Sequence, residues 1–237
     1  MRRLGVLGGM SWESTALYYR LLNEGVRERF GGLNSADLLI RSFNFATIEA
    51  LQATGEWDRA GDVLAEAAAT LEEAGAEGLL IATNTMHLLA PVIEERIGIP
   101  LIHIADATAD ALVAANKRRP LLLATRYTME QGFYRERLIE RAARADAPMD
   151  VIVPDDAGRT LVHDAIYDEL CQGIMRDESR EAYKRIVDAA VREGADAVIF
   201  GCTEVGMLLA QDDVPVPAFD TTAIHCEAGV RFMLGER

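Results

Sequence analysis

Short apolar runs alternate with longer amphipathic segments along this chain. The apolar runs have the length of buried strands, and the segments between them repeat apolar residues at three- and four-residue spacing, as amphipathic helices do. Strands are predicted at residues 4–8, 37–43, 79–82, 100–104, 122–125, 150–153 and 198–200, with a last short strand flanked by Pro215 and Pro217. Such alternation is typical of parallel sheets with crossover helices.

Local signals indicate where several helices begin and end. Ser11 is a suitable N-cap for a helix that carries Tyr18, Leu22 and Val26, and a Gly-Gly pair at 31–32 ends it. Further helices are predicted at residues 55–74, from 83–85 onward, and at 106–116, 159–175, 179–192 and 221–234. Two successive sets of strands and helices predict an α/β protein of two lobes, each a mostly parallel sheet flanked by helices.

Part of the first half recurs in the second half. The segment EAGAEGLLIATNT at 73–85 matches VREGADAVIFGCTE at 191–204, which aligns Gly75 with Gly194 and Thr83 with Cys202 at an offset of 119 (202 minus 83). A second match aligns residues 18–20 with 133–135, at an offset of 115 (135 minus 20). One βα unit resembles another by chance, but two matches at similar offsets favour a duplication. The lobes are therefore expected to be pseudo-symmetric.

Composition and charge narrow the classes of function. Half of the 237 residues are apolar, which provides a sizeable core, and the formal net charge of −14 argues against binding to nucleic acid or an anionic membrane. The apolar run near the start is too short for a signal core, and no segment reaches the roughly 20 apolar residues of a membrane span. The three cysteines, at positions 171, 202 and 226, fit neither a disulfide framework nor a zinc site. A reducing cytoplasmic location is expected.

Cys202 is the most distinctive candidate for chemistry, because it follows an apolar strand and Gly201 and precedes Thr203 and Glu204. Ligands of open α/β sheets bind beyond the carboxyl ends of the strands. A helix start at this point would lower the pKa of the thiol, and an ionised Glu204 would act in the opposite direction. The local sequence equally allows a small buried hydrophobic residue.

The other candidate motifs are weaker. His87 follows the strand end at Thr83 and either orders a site or packs in the core, whereas His103, His163 and His225 are expected to be structural. No histidine spacing matches a metal site, so no metal is expected. The glycines of LGVLGGMS lack the full GxGxxG pattern and its acidic partner, which argues against a dinucleotide cofactor.

The motifs LGVLGGMSWEST, ATNTMH, HIADAT, TRYTME and FGCTE, in this order, resemble the aspartate/glutamate racemase family over essentially the whole chain. These are amino-acid racemases that work without pyridoxal phosphate. The resemblance implies a small amino-acid substrate, no cofactor and a homodimer. It also implies two lobes with the active site in the cleft between them, the first formed by residues 1–103 with 214–237 and the second by 104–213.

The same resemblance implies catalytic roles, with one departure. Family members usually pair two cysteines on opposite faces of the substrate's Cα, and a two-base racemase needs an acid–base group on each face. Cys202 occupies the second position, but Thr83 stands where the first cysteine is expected. A threonine hydroxyl has no ready anion. Cys202 is therefore expected to abstract the α-proton of an L-amino acid while Thr83 reprotonates the other face, which biases the enzyme from L to D.

The motifs and the strand ends suggest which residues hold the carboxylate and ammonium groups of the substrate. Glu204 and His87 are expected to support the catalytic pair. Members that prefer acidic substrates often carry a lysine after the second-half Pro-acidic segment, whereas here the segment at 154–156 is followed by Arg159. The candidate substrate-binding residues are Met10, Ser11, Gln52, Asn84, Thr85, Arg126, Thr128 and Thr203.

Two alternatives stay open at this point. A single cysteine also serves decarboxylases and isomerases of small dicarboxylates in the wider superfamily. A binding protein that kept the scaffold and lost activity with its first thiol is the other alternative. Release of carbon dioxide from malonate-type substrates, or amino-acid binding without α-proton exchange, would identify them.

Overall fold

The computed structural model describes residues 1–236, which divide into two compact units. The first unit contains Met1–Ile104 and the C-terminal residues from His225, and the second contains Ala105–Ile224. Sequence analysis predicted that the chain returns to the first lobe at residue 214. The return lies at residue 225 instead, because a strand at 218–220 pairs within the second unit.

The first unit is built on a parallel sheet. Within the described residues its strand order is β2-β1-β3, and Leu4 of the central strand lies opposite Leu38 on one side and Gly78 on the other. Its elements are β1 (Leu4–Gly8), α1 (Trp12–Phe30), β2 (Leu38–Ser42), α2 (Phe45–Ala53), α3 (Trp57–Glu73), β3 (Gly78–Ile81), a 3₁₀ turn at Thr85–Leu89 and α4 (Ala90–Arg96). The Ser11 side chain caps α1 by accepting the N–H of Ser14 at 3.2 Å, as predicted.

The second unit has a parallel sheet of the same kind. Its described strands have the order β4-β5-β6, with β5 in the centre. Its elements are α5 (Ile104–Ala114), β4 (Pro120–Leu123), α6 (Arg126–Glu130), α7 (Gly132–Arg144), α8 (Asp156–Asp168), a 3₁₀ turn at Leu170–Gln172, α9 (Asp177–Arg192), β5 (Ala197–Phe200), α10 (Thr203–Leu208), a 3₁₀ turn at Gln211–Asp213, β6 (Ala218–Asp220) and the start of α11 (Thr221–Leu234), whose residues from His225 belong to the first unit. The predicted α/β class with two parallel sheets is confirmed.

The internal repeat is visible as matching hydrogen bonds at the start of each sheet. The Arg3 N–H donates to the Glu77 carboxylate at 2.8 Å, and the Glu77 N–H donates back to the Arg3 carbonyl at 2.9 Å. In the second unit Arg119 and Asp196 make the same pair of bonds, at 2.9 and 3.1 Å. The acidic residue shared by positions 77 and 196 therefore has a structural cause, because each carboxylate joins the start of the strand that follows it to the start of the strand paired with it.

The glycines of the repeat end equivalent helices. Gly75 after α3 and Gly194 after α9 have φ of +96° and +98°, a left-handed conformation that favours glycine. After each helix the N–H of the next alanine bonds a carbonyl five residues earlier, from Ala76 to Leu71 and from Ala195 to Ala190. This is the Schellman arrangement that satisfies the last carbonyls of a helix.

Each face of the first sheet is covered by its own apolar cluster. One cluster packs α2, α3 and α4 against β1 and β3 through Leu7, Leu64 and Ile81. The other packs α1 and the C-terminal part of α11 through Leu22, Leu80 and Val230. Strands β3, β4 and β5 are buried along their whole length, as expected of parallel strands covered on both faces.

Several predicted elements differ from those observed. Residues 100–104 and 150–153 each make a single bridge, Leu101 with Leu79 and Ile152 with Leu121, rather than a full strand. Helix α2 was not predicted, the last strand lies after Pro217, and the region 159–175 divides into α8 and a 3₁₀ turn. No helix in residues 1–236 combines the length and the apolar composition that crossing a membrane requires.

Candidate functional site

In the first unit, predicted site residues gather at the carboxyl ends of β1 and β3, which are adjacent in the sheet. Met10 and Ser11 follow β1 and are almost fully buried. The pairing of β1 with β3 extends one residue beyond β3, because the Ala82 N–H donates to the Leu7 carbonyl at 2.8 Å. Thr83 is the next residue in the chain. Parallel pairing therefore brings these three residues to one edge of the sheet.

Close packing shapes the turn after β1. The Thr15 hydroxyl accepts the Gly9 N–H at 2.7 Å and donates to the Ser11 carbonyl at 2.8 Å. Gly9 has φ of +83°, and a Cβ there would lie 2.3 Å from the Phe43 carbonyl oxygen. The turn that presents Met10 and Ser11 therefore requires glycine at position 9.

His87 lies directly behind Thr83. Its Nδ1 is 2.8 Å from the Thr83 carbonyl oxygen, and its Nε2 accepts the N–H of Ile104 at 3.3 Å. The Thr83 N–H in turn donates to the Ile81 carbonyl at 2.8 Å. Both backbone polar groups of Thr83 are thus bonded within the first unit, while its side chain is half-buried.

The remaining first-unit candidates are buried polar residues. Asn84 and Thr85 occupy the start of the 3₁₀ turn after β3 and are 5% and 6% exposed. Gln52 is 4% exposed and lies on α2, the helix that the sequence pattern did not predict. Buried polar side chains are uncommon without a bonding or functional role, which keeps all three as candidates.

In the second unit, Cys202 lies at the carboxyl end of β5. The Gly201 N–H donates to the Leu123 carbonyl at 2.8 Å, so this end adjoins the end of β4. The half-buried thiol of Cys202 donates to Oε2 of Glu204 at 2.9 Å, and Glu204 is 6% exposed. Burial and then the Glu204 carboxylate raise the pKa of Cys202 well above its ordinary value. The pKa depression expected from a helix start is therefore overridden.

Hydroxyl groups surround the Cys202 strand end. Thr203 Oγ1 lies 2.9 Å from Thr222 Oγ1, and the Thr221 hydroxyl donates to the Phe200 carbonyl at 2.9 Å. Asp220 accepts the N–H groups of Thr222 and Ala223 and so caps α11, and burial raises its pKa. The start of α11 therefore holds the Thr203 side chain. The sequence pattern did not indicate that α11 lies beside the Cys202 strand end.

The two candidates after β4 differ in their surroundings. Thr128 is fully buried, with Oγ1 3.3 Å from Thr125 Oγ1. Arg126 instead forms ion pairs with Glu130 at 2.8 Å and Asp156 at 3.0 Å, and it donates to the Thr160 hydroxyl at 2.8 Å. The Arg126 guanidinium is therefore already neutralised by two carboxylates in this structure.

Sequence reasoning missed two neighbours of Cys202. Cys171 and Tyr183 both interact electrostatically with Cys202, and a thiolate at Cys171 would contribute to the raised pKa of Cys202. Cys171 lies on the 3₁₀ turn at Leu170–Gln172, which contacts α10. Tyr183 is buried on α9 and donates its hydroxyl to the Val162 carbonyl at 2.9 Å. Both lie in ordinary helix patterns, so no local signal distinguishes them.

Within residues 1–236, no group of three His, Cys, Asp or Glu side chains is arranged to hold a metal ion. The polar side chains at the strand ends are hydroxyls, amides, the Cys202 thiol, the carboxylates of Glu204 and Asp220, and the Arg126 guanidinium. Such groups bind a small zwitterion through hydrogen bonds and can move protons.

Comparison with known proteins agrees with this reading. The model of the Asp/Glu/Hydantoin racemase family matches residues 7–229. A provisionally named Asp/Glu racemase of known structure from Yersinia pestis is 48% identical, with a TM-score of 0.91, over 99% of this chain and 100% of that one. An aspartate racemase homologue from Pyrococcus horikoshii is 33% identical, with a TM-score of 0.84 and the same coverage.

A curated relative is more distant but nearly as complete. The broad specificity amino-acid racemase RacX of Bacillus subtilis is 20% identical over 228 residues, which is 96% of each chain. The family match spans both sheets and both strand ends that carry Thr83 and Cys202. This chain therefore belongs to the Asp/Glu/hydantoin racemase family.

Proposed function

We propose that this protein is a pyridoxal-phosphate-independent racemase of acidic amino acids, with Cys202 as the base for the L-enantiomer. The observation that carries the proposal is the Cys202–Glu204 contact of 2.9 Å at the end of β5, in a chain of this family. A thiol and a carboxylate in hydrogen-bond contact can exchange a proton without solvent. Glu204 thus supplies a nearby acceptor for the proton that Cys202 must lose before it acts as a base.

The proton inventory of the forward reaction is simple. The Cys202 S–H proton passes to Glu204, the thiolate takes the α-proton of the L-substrate, and the electron pair of the broken C–H bond delocalises into the substrate carboxylate. That pair returns to Cα as Thr83 Oγ donates its proton to the opposite face. The Thr83 oxygen then recovers a proton from water, and Glu204 releases its proton to the resulting hydroxide, which restores the enzyme. The product is the D-enantiomer, and the chemistry needs no cofactor.

The difference between the two acid–base groups makes the reaction asymmetric. A threonine hydroxyl ionises at far higher pH than a thiol, so Thr83 can donate a proton but forms a base only with difficulty. Abstraction from the D-enantiomer is therefore slower than abstraction from the L-enantiomer. The equilibrium ratio of the two enantiomers is unchanged, because a catalyst does not alter an equilibrium constant. The asymmetry concerns only the rates at which the L- and D-enantiomers exchange their α-protons.

Substrate recognition is assigned to the buried polar groups at the strand ends. Ser11, Asn84 and Thr85 in the first unit, with Thr128 and Thr203 in the second, offer donors for carboxylate oxygens, and Met10 and Gln52 are the other buried candidates of the first unit. Arg126 contributes to binding a side-chain carboxylate by exchanging one of its ion pairs for the substrate. Aspartate and glutamate are the proposed substrates.

The test measures α-proton exchange in deuterated water with L- and D-aspartate and L- and D-glutamate. The proposal expects faster exchange from the L-forms, loss of all exchange in Cys202→Ala, and loss of inversion with retained L-exchange in Thr83→Val. Cys171→Ala is the matched control, because it removes a neighbouring thiol that has no proton-transfer role. Equal exchange from both enantiomers contradicts the asymmetry, and an active Cys202→Ala protein contradicts the proposal itself.

A second candidate is a single-cysteine decarboxylase of small dicarboxylates. The raised pKa of Cys202 favours it, because a thiol that stays protonated is a ready donor to the carbanion left by loss of carbon dioxide. Carbon dioxide release from arylmalonate or methylmalonate, without amino-acid exchange, would support this alternative over racemisation.

The expectations of a homodimer and a cytoplasmic location belong to the same proposal. The three cysteines of the protein are free thiols, which suits a reducing compartment. Light scattering at micromolar concentration measures the mass of the assembly, and a monomer mass would contradict the homodimer.

A further inference from the structure

Four buried aromatic side chains of the first unit form a contiguous group, named here the histidine cluster: Tyr18, His87, His103 and His225. Each is at most 4% exposed. The His87 ring centroid lies 4.6 Å from that of His103 and 5.5 Å from that of His225, and the His225 ring meets Tyr18 edge-on at 5.7 Å. Three imidazoles in one buried group are far more than packing requires, since aliphatic side chains fill such space without polar atoms to satisfy.

Hydrogen bonds determine the tautomer of two of these rings. His87 Nε2 accepts the Ile104 N–H, so the proton of a neutral ring lies on Nδ1, where it donates to the Thr83 carbonyl. His225 Nε2 donates to the Ile102 carbonyl at 2.7 Å, and its Nδ1 accepts the Tyr18 hydroxyl at 2.8 Å. Every nitrogen of these two rings is occupied, which leaves neither ring a lone pair for a metal.

The His87 bond acts on the backbone of Thr83. The Thr83 N–H is held by the Ile81 carbonyl, and the Thr83 carbonyl is held by His87 Nδ1, both at 2.8 Å. Fixing both peptide groups fixes the direction of the Cα–Cβ bond, and a β-branched side chain has few χ1 choices beyond that. His87 therefore determines where the Thr83 hydroxyl points, although it does not touch that hydroxyl.

We propose that His87, held in its Nδ1–H tautomer within the histidine cluster, is a positioning residue that aims the Thr83 hydroxyl for the reprotonation step. This inference rests on the proposed function, in which Thr83 is the second proton donor. His103 and His225 confine the His87 ring, and Tyr18 anchors His225. The histidine cluster thus supports the reprotonation step, in which Thr83 rather than a cysteine is the proton donor.

A positioning role predicts a change in how the intermediate partitions. After Cys202 removes the α-proton of an L-substrate in deuterated water, the thiol exchanges that proton for solvent deuterium. The carbanion then either takes deuterium from the thiol with retention or takes it from the deuterated Thr83 hydroxyl with inversion. Misdirecting Thr83 slows only inversion, whereas a general loss of folded protein lowers both in proportion. The ratio of inversion to retained exchange therefore reports on positioning alone.

Three substitutions separate the two arms of His87. His87→Asn places an amide N–H near the Nδ1 position and keeps the donor to Thr83, whereas His87→Gln places its amide near the Nε2 position and keeps a partner for Ile104. His87→Leu removes both. His163→Asn, a histidine of the second unit outside the cluster, is the matched control.

The proposal expects the inversion-to-retention ratio to fall on the order of tenfold in His87→Leu and His87→Gln, because small errors in donor placement are costly in proton transfer. The ratio in His87→Asn should stay within about threefold of the wild type, as a retained donor still aims Thr83. Wild-type ratios in His87→Leu would overturn the positioning role. Equal losses in the Asn and Gln variants would overturn the assignment to the Nδ1 arm.

A spectroscopic measurement separates this inference from the proposed function. Nitrogen-15 NMR of histidine-labelled protein should show His87 as a neutral Nδ1–H imidazole, and a Nε2–H signal would overturn the inference whatever the activity. Absence of α-proton exchange in the wild type with all four substrates would overturn the proposed function and the role of Thr83 with it. A wild-type ratio in His87→Leu leaves the proposed function intact and overturns only the role of His87.

Discussion

Acidification should weaken the fold through His225 well before most carboxylates are protonated. This histidine is fully buried, and burial lowers its pKa from 6.5 to about 4, against a smaller opposing effect of the Ile102 carbonyl. The side chains that face it within the histidine cluster are the Tyr18 hydroxyl and the His87 ring. Neither carries a negative charge at neutral pH, so no carboxylate in the cluster offsets the cost of burying an imidazolium.

The sign of the effect follows from proton binding. In the unfolded chain His225 titrates near pH 6.5, whereas in the folded chain it stays neutral down to about pH 4. Between these values the unfolded state binds more protons, so the contribution to the free energy of unfolding is complete above pH 6.5 and declines toward pH 4. A difference of about 2.5 pKa units corresponds to a loss of about 3 kcal/mol, of which about 2 kcal/mol falls between pH 7 and pH 5.

Urea unfolding of the wild type and of His225→Gln at pH 7, 6 and 5 measures this contribution. The variant should be less stable at pH 7, because it loses the contacts with Tyr18 and Ile102, but its stability should fall by about 2 kcal/mol less between pH 7 and pH 5. His163→Gln is the control, since burial also lowers the pKa of His163 but that ring is only half-buried. Parallel pH profiles for the wild type and His225→Gln would refute the reasoning.

Four further substitutions test a turn, a helix end, the core and a surface ion pair. Gly9→Ala should cost about 3 kcal/mol or more in urea unfolding, because its Cβ would meet a backbone oxygen at 2.3 Å, whereas Gly31→Ala, also at positive φ but with open space around it, should cost about 1 kcal/mol. Leu80→Ala in the fully buried strand β3 should lower the free energy of unfolding by about 3 kcal/mol in the same measurement. A loss below about 1 kcal/mol would contradict the place of Leu80 in the core. Arg141→Gln breaks a surface ion pair and should change stability by less than about 1 kcal/mol, with the difference vanishing in 1 M salt.

Local signals predicted most of the sheet strands and several helix ends, because these depend on neighbouring residues. The apolar run at Leu4–Gly8 is a strand in the prediction and in the structure. The Ser11 cap and the start and end of α11 were also predicted. The repeat that aligns Gly75 with Gly194 reflects a local backbone requirement for positive φ after a helix. Periodicity and capping act within one or two turns of chain, so the sequence expresses them directly.

The segments at 100–104 and 150–153 show where local pattern fails. Both are apolar and extended enough to predict strands, but each meets its sheet at a single bridge, which depends on where the neighbouring chain passes. The strand β6 carries no sequence feature that assigns it to either half, and only its pairing with β5 places the chain's return at residue 225 rather than 214. Partners distant in sequence decide these points.

The candidate site divides in the same way. The sequence by itself determined that Thr83 and Cys202 end equivalent strands and that the chain resembles the racemase family, because strand ends and motifs are properties of short segments. Only the tertiary structure decided that burial and Glu204 raise the pKa of Cys202 and that His87 holds the Thr83 backbone within a buried histidine cluster. Desolvation and side-chain contacts depend on what surrounds a residue in space, and residues as far apart in the chain as Tyr18 and His225 supply those surroundings.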